Sequence, residues 1–263
     1  MEKEKRAVSD ALSASEIARF AGEDRLRIAV FDEIDSTNTE ARREAEVGLS
    51  TPALILANAQ SAGRGRMGRS FFSPPATGLY MSLLIEAKTE LADTVRMTTA
   101  AAVAVASAIE ELCGVEVGIK WVNDIYFGGR KICGILCESF VRGDGKRYAV
   151  IGIGINLYTE DFPEEIKDRA ASLFPRGGVR NALAAAIARK LCEFWKAPEN
   201  ERMMEYYRAH SIVLGKRVVF TEKGVEREGT ALSVDGFGAL RVRTDDGEER
   251  ILTGGEISLR ALD

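Results

Sequence analysis

One histidine, four cysteines and two tryptophans in 263 residues leave little room for the chemistries those residues usually carry. The lone His210 has no base or nucleophile partner apparent in the sequence, so no Ser-His-Asp triad can be argued. Cys113, Cys133, Cys137 and Cys192 are too few and too scattered for a disulfide framework, and reduced core thiols are expected. Cys133 and Cys137 have i, i+4 spacing, but the histidine that could complete a metal set lies far off in sequence. No apolar run approaches the roughly 20 residues of a membrane span, and the N-terminal MEKEKR is followed by no apolar signal core, so a soluble, cytoplasmic chain away from membranes is expected. Charge of one sign is missing too. The 36 Lys+Arg against 40 Asp+Glu give a net charge of −4, which excludes a global attraction to nucleic acid and makes any basic function local. A P-loop pattern and internal repeats are also absent.

What is present is an ordinary globular composition, 46% hydrophobic and 29% charged, on a chain long enough for a large domain plus a small one. Helical spacing covers residues 9–21, with Gly22 as a C-cap, and a strand follows in RLRIAVFDEI. Asp35, Ser36, Thr37 and Asn38 offer capping side chains ahead of a helix over 39–48. ALILANAQ (53–60) and LYMSLLIE (79–86) read as strands, and the alanine-rich 93–114 as a largely buried helix ending at Gly114. EVGIKW, DIYF, RKICGILCESF and RYAVIGIGINL follow as strands, with Gly128-Gly129 as a hairpin turn. FPEEIKDRA, RNALAAAIARKLCEFW and NERMMEYYRAH carry helical signals. From Leu214 short alternating segments broken by glycines predict a small all-β barrel.

GRGRMG, residues 63–68, fits the G-x-G-x-x-G pattern of dinucleotide sites, which requires a preceding strand and a helix starting inside the motif. The strand is there, but SFFSPPATG follows, and consecutive prolines do not fit a helix interior. The dinucleotide reading therefore fails. Arg64, Arg66 and Arg69 remain among three glycines, an anion-binding loop expected to stay mobile until an anion neutralises it, or else a solvated surface loop. In IKWVNDIYF a buried strand acquires Lys120, Asn123 and Asp124 within five residues; an ordinary Asn-Asp turn is the alternative. Lys131 begins the next strand, where a solvated lysine is equally ordinary. Gly152 and Gly154 share one face of a strand with Asn156, leaving room for something narrow unless they mark a bulge. For Ser36, Thr37 and Asn38 the alternative role is helix capping, and Gln60 could be a surface residue.

Taken together, DSTN (35–38), QSAGRGRMGR (60–69), SPPATGLYMSLL (73–84), KWVNDI (120–125), RKICGIL (130–136), IGIGIN (151–156) and GGEISLR (254–260) resemble the biotin protein ligases. The resemblance runs from about residue 9 to the C-terminus. It implies an α+β fold: a mixed sheet with helices, related to class II aminoacyl-tRNA synthetases, over 1–213, and an SH3-like barrel over 214–263. It implies a two-step reaction in which biotin and ATP with Mg²⁺ give biotinyl-5′-AMP and pyrophosphate, and a lysine of the biotin carboxyl carrier protein of acetyl-CoA carboxylase or a related carboxylase then takes the biotinyl group. Ser36, Thr37, Gln60, Gly63 and Arg64 would contact biotin, with Asn38 in the same segment among the binding positions. Gly134, Leu136, Gly152 and Gly154 would shape the pocket. Arg66 and Lys131 would hold the biotin carboxyl and the adenylate phosphate, and Arg69 and Lys120 the nucleotide phosphates. Asn123 and Asp124 fall on the ATP, Mg²⁺ and acceptor-lysine side, and Asn156 on the adenylate side. Arg66, Lys120, Lys131 and Asp124 form the expected catalytic group, with Mg²⁺ carried mainly by the ATP phosphates and no dedicated protein metal site.

Two positions depart from the family pattern: Val122 stands where proline is common, and Phe71 where tryptophan is usual. Both stay apolar, so altered packing over the pocket is expected without loss of activity. About 25 residues precede the first core strand, too few for the winged helix-turn-helix of the repressor-ligases, so no sequence-specific DNA binding is expected. Pairing of two copies through the central sheet is a further family expectation. Two rivals stay open: a lipoate or octanoate ligase, which shares the fold but lacks the GRGRMGR segment in its family, and a nucleic-acid-binding module using the arginine loop and barrel.

Overall fold

Alternating hydrophobicity divides the large sheet into two unlike faces. The structure, a computed structural model, describes residues 10–22, 25–87, 94–196, 201–222, 224–255 and 257–259. Four strands form the middle of the sheet, β2 (Ala53–Gln60), β3 (Gly78–Ala87), β6 (Arg130–Val141) and β7 (Arg147–Asn156). From them Leu54, Leu56, Met81, Leu83, Ile135, Ile151, Ile153 and Ile155 join one core cluster. Ile55, Leu84, Tyr148 and Val150 face the other way, as a side-chain period of two requires. With β1 (Arg27–Ile34), β4 (Gly118–Lys120) and β5 (Asp124–Phe127), the sheet has seven strands in the order β1-β2-β3-β7-β6-β5-β4. β1 and β2 run parallel and the other neighbours antiparallel, which makes the sheet mixed. Gly128 and Gly129, both at positive φ, form the two-residue turn between β5 and β6.

The first face is covered by a helical layer of α1 (Ala14–Ala21), α3 (Thr94–Cys113), α4 (Arg180–Lys196) and α5 (Glu201–Ala209). Runs of alanine in α3 and α4 let these helices pack closely on each other and on the strands. A single helix, α2 (Thr37–Glu46), lies on the second face and buries Ala41 and Ala45 against Ile55, Leu84 and Val150. Its ten residues reach about 15 Å, whereas the ten residues of β7 beneath it reach about 34 Å. The strand ends beyond the N-terminus of α2 are therefore left uncovered by that helix.

Three local expectations need correction. The first helix begins at Ala14, where the Ser13 side chain accepts from the Glu16 N–H, rather than at residue 9, which lies outside the described residues. The second starts at Thr37, so Thr37 and Asn38 belong to its first turn, and Ser36 sits at the N-cap without a side-chain cap hydrogen bond. Segment 162–170 is a run of turns and not a helix. Its end pairs with β6: Lys131 N–H donates to Arg169 O (2.8 Å), and the N–H of the following Ala171 donates to Lys131 O (2.9 Å).

The remaining strands, β8 (Arg217–Glu222), β9 (Val225–Val234), β10 (Leu240–Thr244), β11 (Glu249–Leu252) and β12 (Ile257–Leu259), form an antiparallel sheet of order β11-β10-β9-β8-β12. It is fastened to the rest of the chain by the buried indole of Trp121, between β4 and β5, which donates to Gly238 O at 2.8 Å, and by Arg208 Nε of α5, which donates to Val234 O at 2.8 Å. No described helix is long and apolar enough to cross a membrane.

Candidate active site

The glycines of β7 make the hollow. Gly152 and Gly154 pair with β3 and β6 in unbroken register, so neither marks a bulge. A Cβ on Gly152 would lie 2.0 Å from Asn38 Oδ1, and one on Gly154 would lie 2.5 Å from the Phe71 ring. Any side chain there would occupy the place of Asn38 or Phe71. Ile151, Ile153 and Ile155, which alternate with these glycines, face the helical layer, so one strand supplies core on one side and cavity on the other.

A cavity of about 670 Å³, counting the open space at its mouth, lies over these positions. Ser36, Thr37, Asn38 and Gln60 line one part of it. Gln60 Oε1 accepts from the Thr37 N–H at 2.8 Å, while its amide donates to Ser73 Oγ at 2.8 Å. Behind them the fully buried Ser82 hydroxyl lies 2.7 Å from Thr37 Oγ1 and 2.6 Å from Asn38 Oδ1. A hydroxyl has one proton and the Asn38 oxygen can only accept, so the chain runs from Thr37 to Ser82 to Asn38. Asn38 Nδ2 in turn donates to Glu138 Oε2 at 2.9 Å. This part of the cavity is polar, uncharged at its lining and held in fixed rotamers.

The arginine loop crosses the cavity. It closes on itself through an Arg64–Ser70 bridge and a Gly65 N–H to Arg69 O hydrogen bond of 2.7 Å, with a 3-10 turn at Arg66–Gly68. Met67 sits at φ 55° within that turn and is exposed. Two partners hold the loop. Arg64 meets Glu138 in a two-pronged ion pair, at 2.7 and 2.9 Å. Arg66 Nη1 donates to Asn123 Oδ1 at 3.0 Å, an uncharged partner. Asn123 is itself clamped to β6, with Nδ2 donating to Ile135 O and its carbonyl accepting from Ile135 N–H, both at 3.0 Å.

Lys131 Nζ lies 2.6 Å from Asp124 Oδ1, across the β5–β6 hairpin. Both, with Arg69, Ser70, Phe71 and Asn123, also line a second cavity of about 1300 Å³. Its own walls come from Phe72, Lys120, Trp121, Tyr126, Asn156, Phe162, Ile166, Arg169 and Ala170, and from Ile257 and Ser258 of the C-terminal sheet. Lys120 stands over the Tyr126 ring at 5.6 Å, and burial together with the Asp124 charge pushes the Tyr126 hydroxyl above its usual pKa. Asn156 is buried and donates to Ala171 O at 3.2 Å, tying β7 to the segment that forms one wall.

The structure thus gathers Ser36, Thr37, Asn38, Gln60, Arg64, Arg66, Gly134, Leu136, Gly152 and Gly154 in the first cavity, Lys120 and Asn156 in the second, and Arg69, Asn123, Asp124 and Lys131 at their junction. Gly63 lines neither. A Cβ there would fall 2.4 Å from Phe71 O and 2.7 Å from Ser73 Oγ, so this glycine serves the close crossing of the chain beneath the loop. Ser82 and Glu138 were missed. Only the strand period, which puts Ser82 beside Tyr80 and Glu138 beside Leu136 on the cavity face, could have singled them out. Burial pushes the thiols of Cys133 and Cys137 up, the latter to about 12, and no group of three possible metal ligands occurs among the described residues.

Comparison with known proteins follows this geometry. Residues 30–156 match the model of the biotin/lipoate A/B protein ligase family, and residues 213–260 that of the biotin protein ligase C-terminal domain. The bifunctional ligase/repressor BirA of Bacillus subtilis is 34% identical over 228 residues, covering 84% of this chain and 70% of the relative. The chain belongs to the biotin protein ligase family. Another member, the biotin–[acetyl-CoA-carboxylase] ligase of Paracoccus denitrificans, is 30% identical over 82% of this chain and 94% of its own length. Among solved structures, the biotin protein ligase from Aquifex aeolicus in complex with biotin and ATP superposes with a TM-score of 0.75 at 28% identity, covering 89% of this chain and 98% of that one.

Proposed function

We infer that this chain is an ATP-dependent biotin protein ligase, which activates biotin to biotinyl-5′-AMP with release of pyrophosphate and transfers the biotinyl group to a lysine of a carboxylase carrier protein. The observation that carries the reading is the two-part cleft. Its first part offers Ser36, Thr37, Asn38 and Gln60 to a neutral ring that both donates and accepts hydrogen bonds, as the ureido group of biotin does. An apolar dithiolane would leave those groups unpaired, which favours biotin over lipoate.

Lys131, Asn123 and Asp124 at the junction, with Arg66 beside them on the first-cavity side, are the groups we assign to the meeting of the biotin carboxylate with the α-phosphate. A carboxylate oxygen forms the new bond to phosphorus as the bond to pyrophosphate breaks, so two anions approach and charge builds on the leaving group. Fixed guanidinium and ammonium groups stabilise that charge. Asp124 is the one carboxylate lining the cleft among the described residues, and with Asn123 it offers the oxygen donors that suit Mg²⁺. Both could hold the ion carried by the ATP phosphates, which would shield the pyrophosphate charge. Lys120 is assigned to the phosphates, Arg69 to the mouth between the cavities, and Asn156 to positioning the wall of the second cavity. In the transfer step the acceptor lysine amine attacks the acyl carbon, AMP leaves, and Asp124 takes up the amine proton.

The finer architecture we propose is a catalytic domain over 1–213 related to class II aminoacyl-tRNA synthetases, and an SH3-like barrel over 214–263 that walls the nucleotide side. Beyond Ile135 the outer edge of β6 has no described strand beside it, which supports pairing with a second copy along that edge. The net charge of −4 supports a ligase without a nucleic-acid role. The deciding experiment is pyrophosphate exchange with biotin compared with lipoate or octanoate. Exchange with biotin, together with a biotinyl-5′-AMP mass in the purified protein, is expected; exchange with lipoate alone overturns the reading.

A further inference from the structure

Four arginines and lysines line the first cavity, yet they are not alike. Lys131 is matched by Asp124, and Arg66 faces a neutral amide, while Arg64 has both prongs of its guanidinium on Glu138. Glu138 lines neither cavity. It stands two residues beyond Leu136 on the same face of β6, one layer behind the lining. Its carboxylate receives three N–H groups, two from Arg64 and one from Asn38 Nδ2 at 2.9 Å. Asn38 is the residue whose oxygen closes on Gly152 and accepts from Ser82.

We propose that Glu138 is the positioning residue of the biotin end: it latches the arginine loop to β6 through Arg64 and fixes Asn38 in the same act. This proposal rests on the biotin reading for its substrate but not for its geometry. The consequence for Arg64 is specific. Its guanidinium is an anchor and not an anion receptor, so the substrate carboxylate is left to Arg66, whose partner is uncharged. With Glu138 neutralised, an unpaired Arg64 would compete with Arg66 for that carboxylate, and the loop would open more often. The pair is partly exposed, at 44% and 30%, so an isolated contact of this kind would contribute little. The two-pronged geometry and the shared hydrogen bond to Asn38 make it a coupled unit with a measurable effect.

The test uses the full chain and the variants Glu138→Gln, Arg64→Gln and the double variant. Glutamine keeps the shape of Glu138 but leaves one acceptor oxygen for three donors. Limited trypsin digestion, read by mass at Arg66 and Arg69, which every variant keeps, reports loop opening without any substrate. Glu138→Gln is expected to speed cleavage there about five- to tenfold, and to raise the KM for biotin in pyrophosphate exchange by a similar factor, with kcat within about twofold and Tm unchanged. The double variant should match Arg64→Gln, because both substitutions break one unit and no guanidinium is left there to compete with Arg66. Wild-type cleavage rates and KM in Glu138→Gln would overturn the proposal, as would additive losses in the double variant. If the wild-type chain exchanged no pyrophosphate with biotin, the function reading would fail while the digestion still judged the latch.

Discussion

The two ends of the cleft solve different problems with different means. At one end Ser36, Thr37 and Asn38 are buried, and Thr37 is hydrogen-bonded to Gln60 and, through Ser82, linked to Asn38. At the other end Arg66, Asn123, Asp124 and Lys131 are half-buried and matched in pairs, Arg66 to Asn123 and Lys131 to Asp124. A neutral ring can be recognised only by donors and acceptors whose directions are already fixed, since misplaced ones would be left unpaired. Charge on a reacting phosphate is stabilised over longer range, and groups that exchange an internal partner for the substrate are adequate there. The first end should therefore be brittle to changes of shape, and the second to changes of charge.

Substitutions at the junction test this contrast most sharply. Lys131→Ala or Arg66→Ala should slow adenylate formation by about 10²- to 10³-fold with little change in Tm, read in single-turnover measurements of the first half-reaction. Unchanged adenylation in both variants would remove them from the charge-stabilising role. Gly152→Ala should raise the KM for biotin by about 10²-fold, because the new methyl displaces Asn38, while binding of ATP alone, followed by calorimetry, stays close to wild type. Equal losses for both ligands would erase the distinction between the ends. Asp124→Asn should leave adenylation within about fivefold and slow transfer to the carrier by about 10²-fold, seen when preformed adenylate is chased with acceptor protein.

Ser82→Ala should cost about 1–3 kcal/mol in chemical denaturation, since Asn38 Oδ1 loses its buried donor. Smallest of all is the pH effect at Cys137, behind the pocket on β6. Its pKa is pushed up to about 12 from an ordinary 9.0, so the folded state holds its proton more tightly. The stability it contributes is full below about pH 9 and is lost as pH rises toward 12. Native protein should accordingly resist alkylation at Cys137 at pH 9, and rapid labelling there would contradict the raised pKa of this half-buried thiol.

Much of this was legible in the chain because it is local. The I-G-I-G-I-N alternation of residues 151–156 specifies both a core face and an empty face, and the structure honours each. Gly22 and Gly114 close their helices in the left-handed region as their positions predict. Ser82 was not legible, since a serine in a hydrophobic strand gains meaning only when α2 is laid over it, 45 residues away in sequence from its partner Thr37. Glu138 hid for the same reason, at 74 residues from Arg64. The helix expected over 162–170 stops at local turns and its end pairs with β6 through Arg169 O and the N–H of Ala171, a long-range competition that no local propensity reports. Gly63 was assigned to the ligand because it sits in a motif, whereas its neighbours are Phe71 and Ser73.

The alternation on β7 also couples two things that selection usually treats apart. Deleting or inserting a single residue within 150–156 would rotate every later side chain in the strand to the opposite face. Isoleucines would then fill the substrate hollow while glycines hollowed the core, so frame errors of one residue in this strand should be lost to folding and to catalysis together.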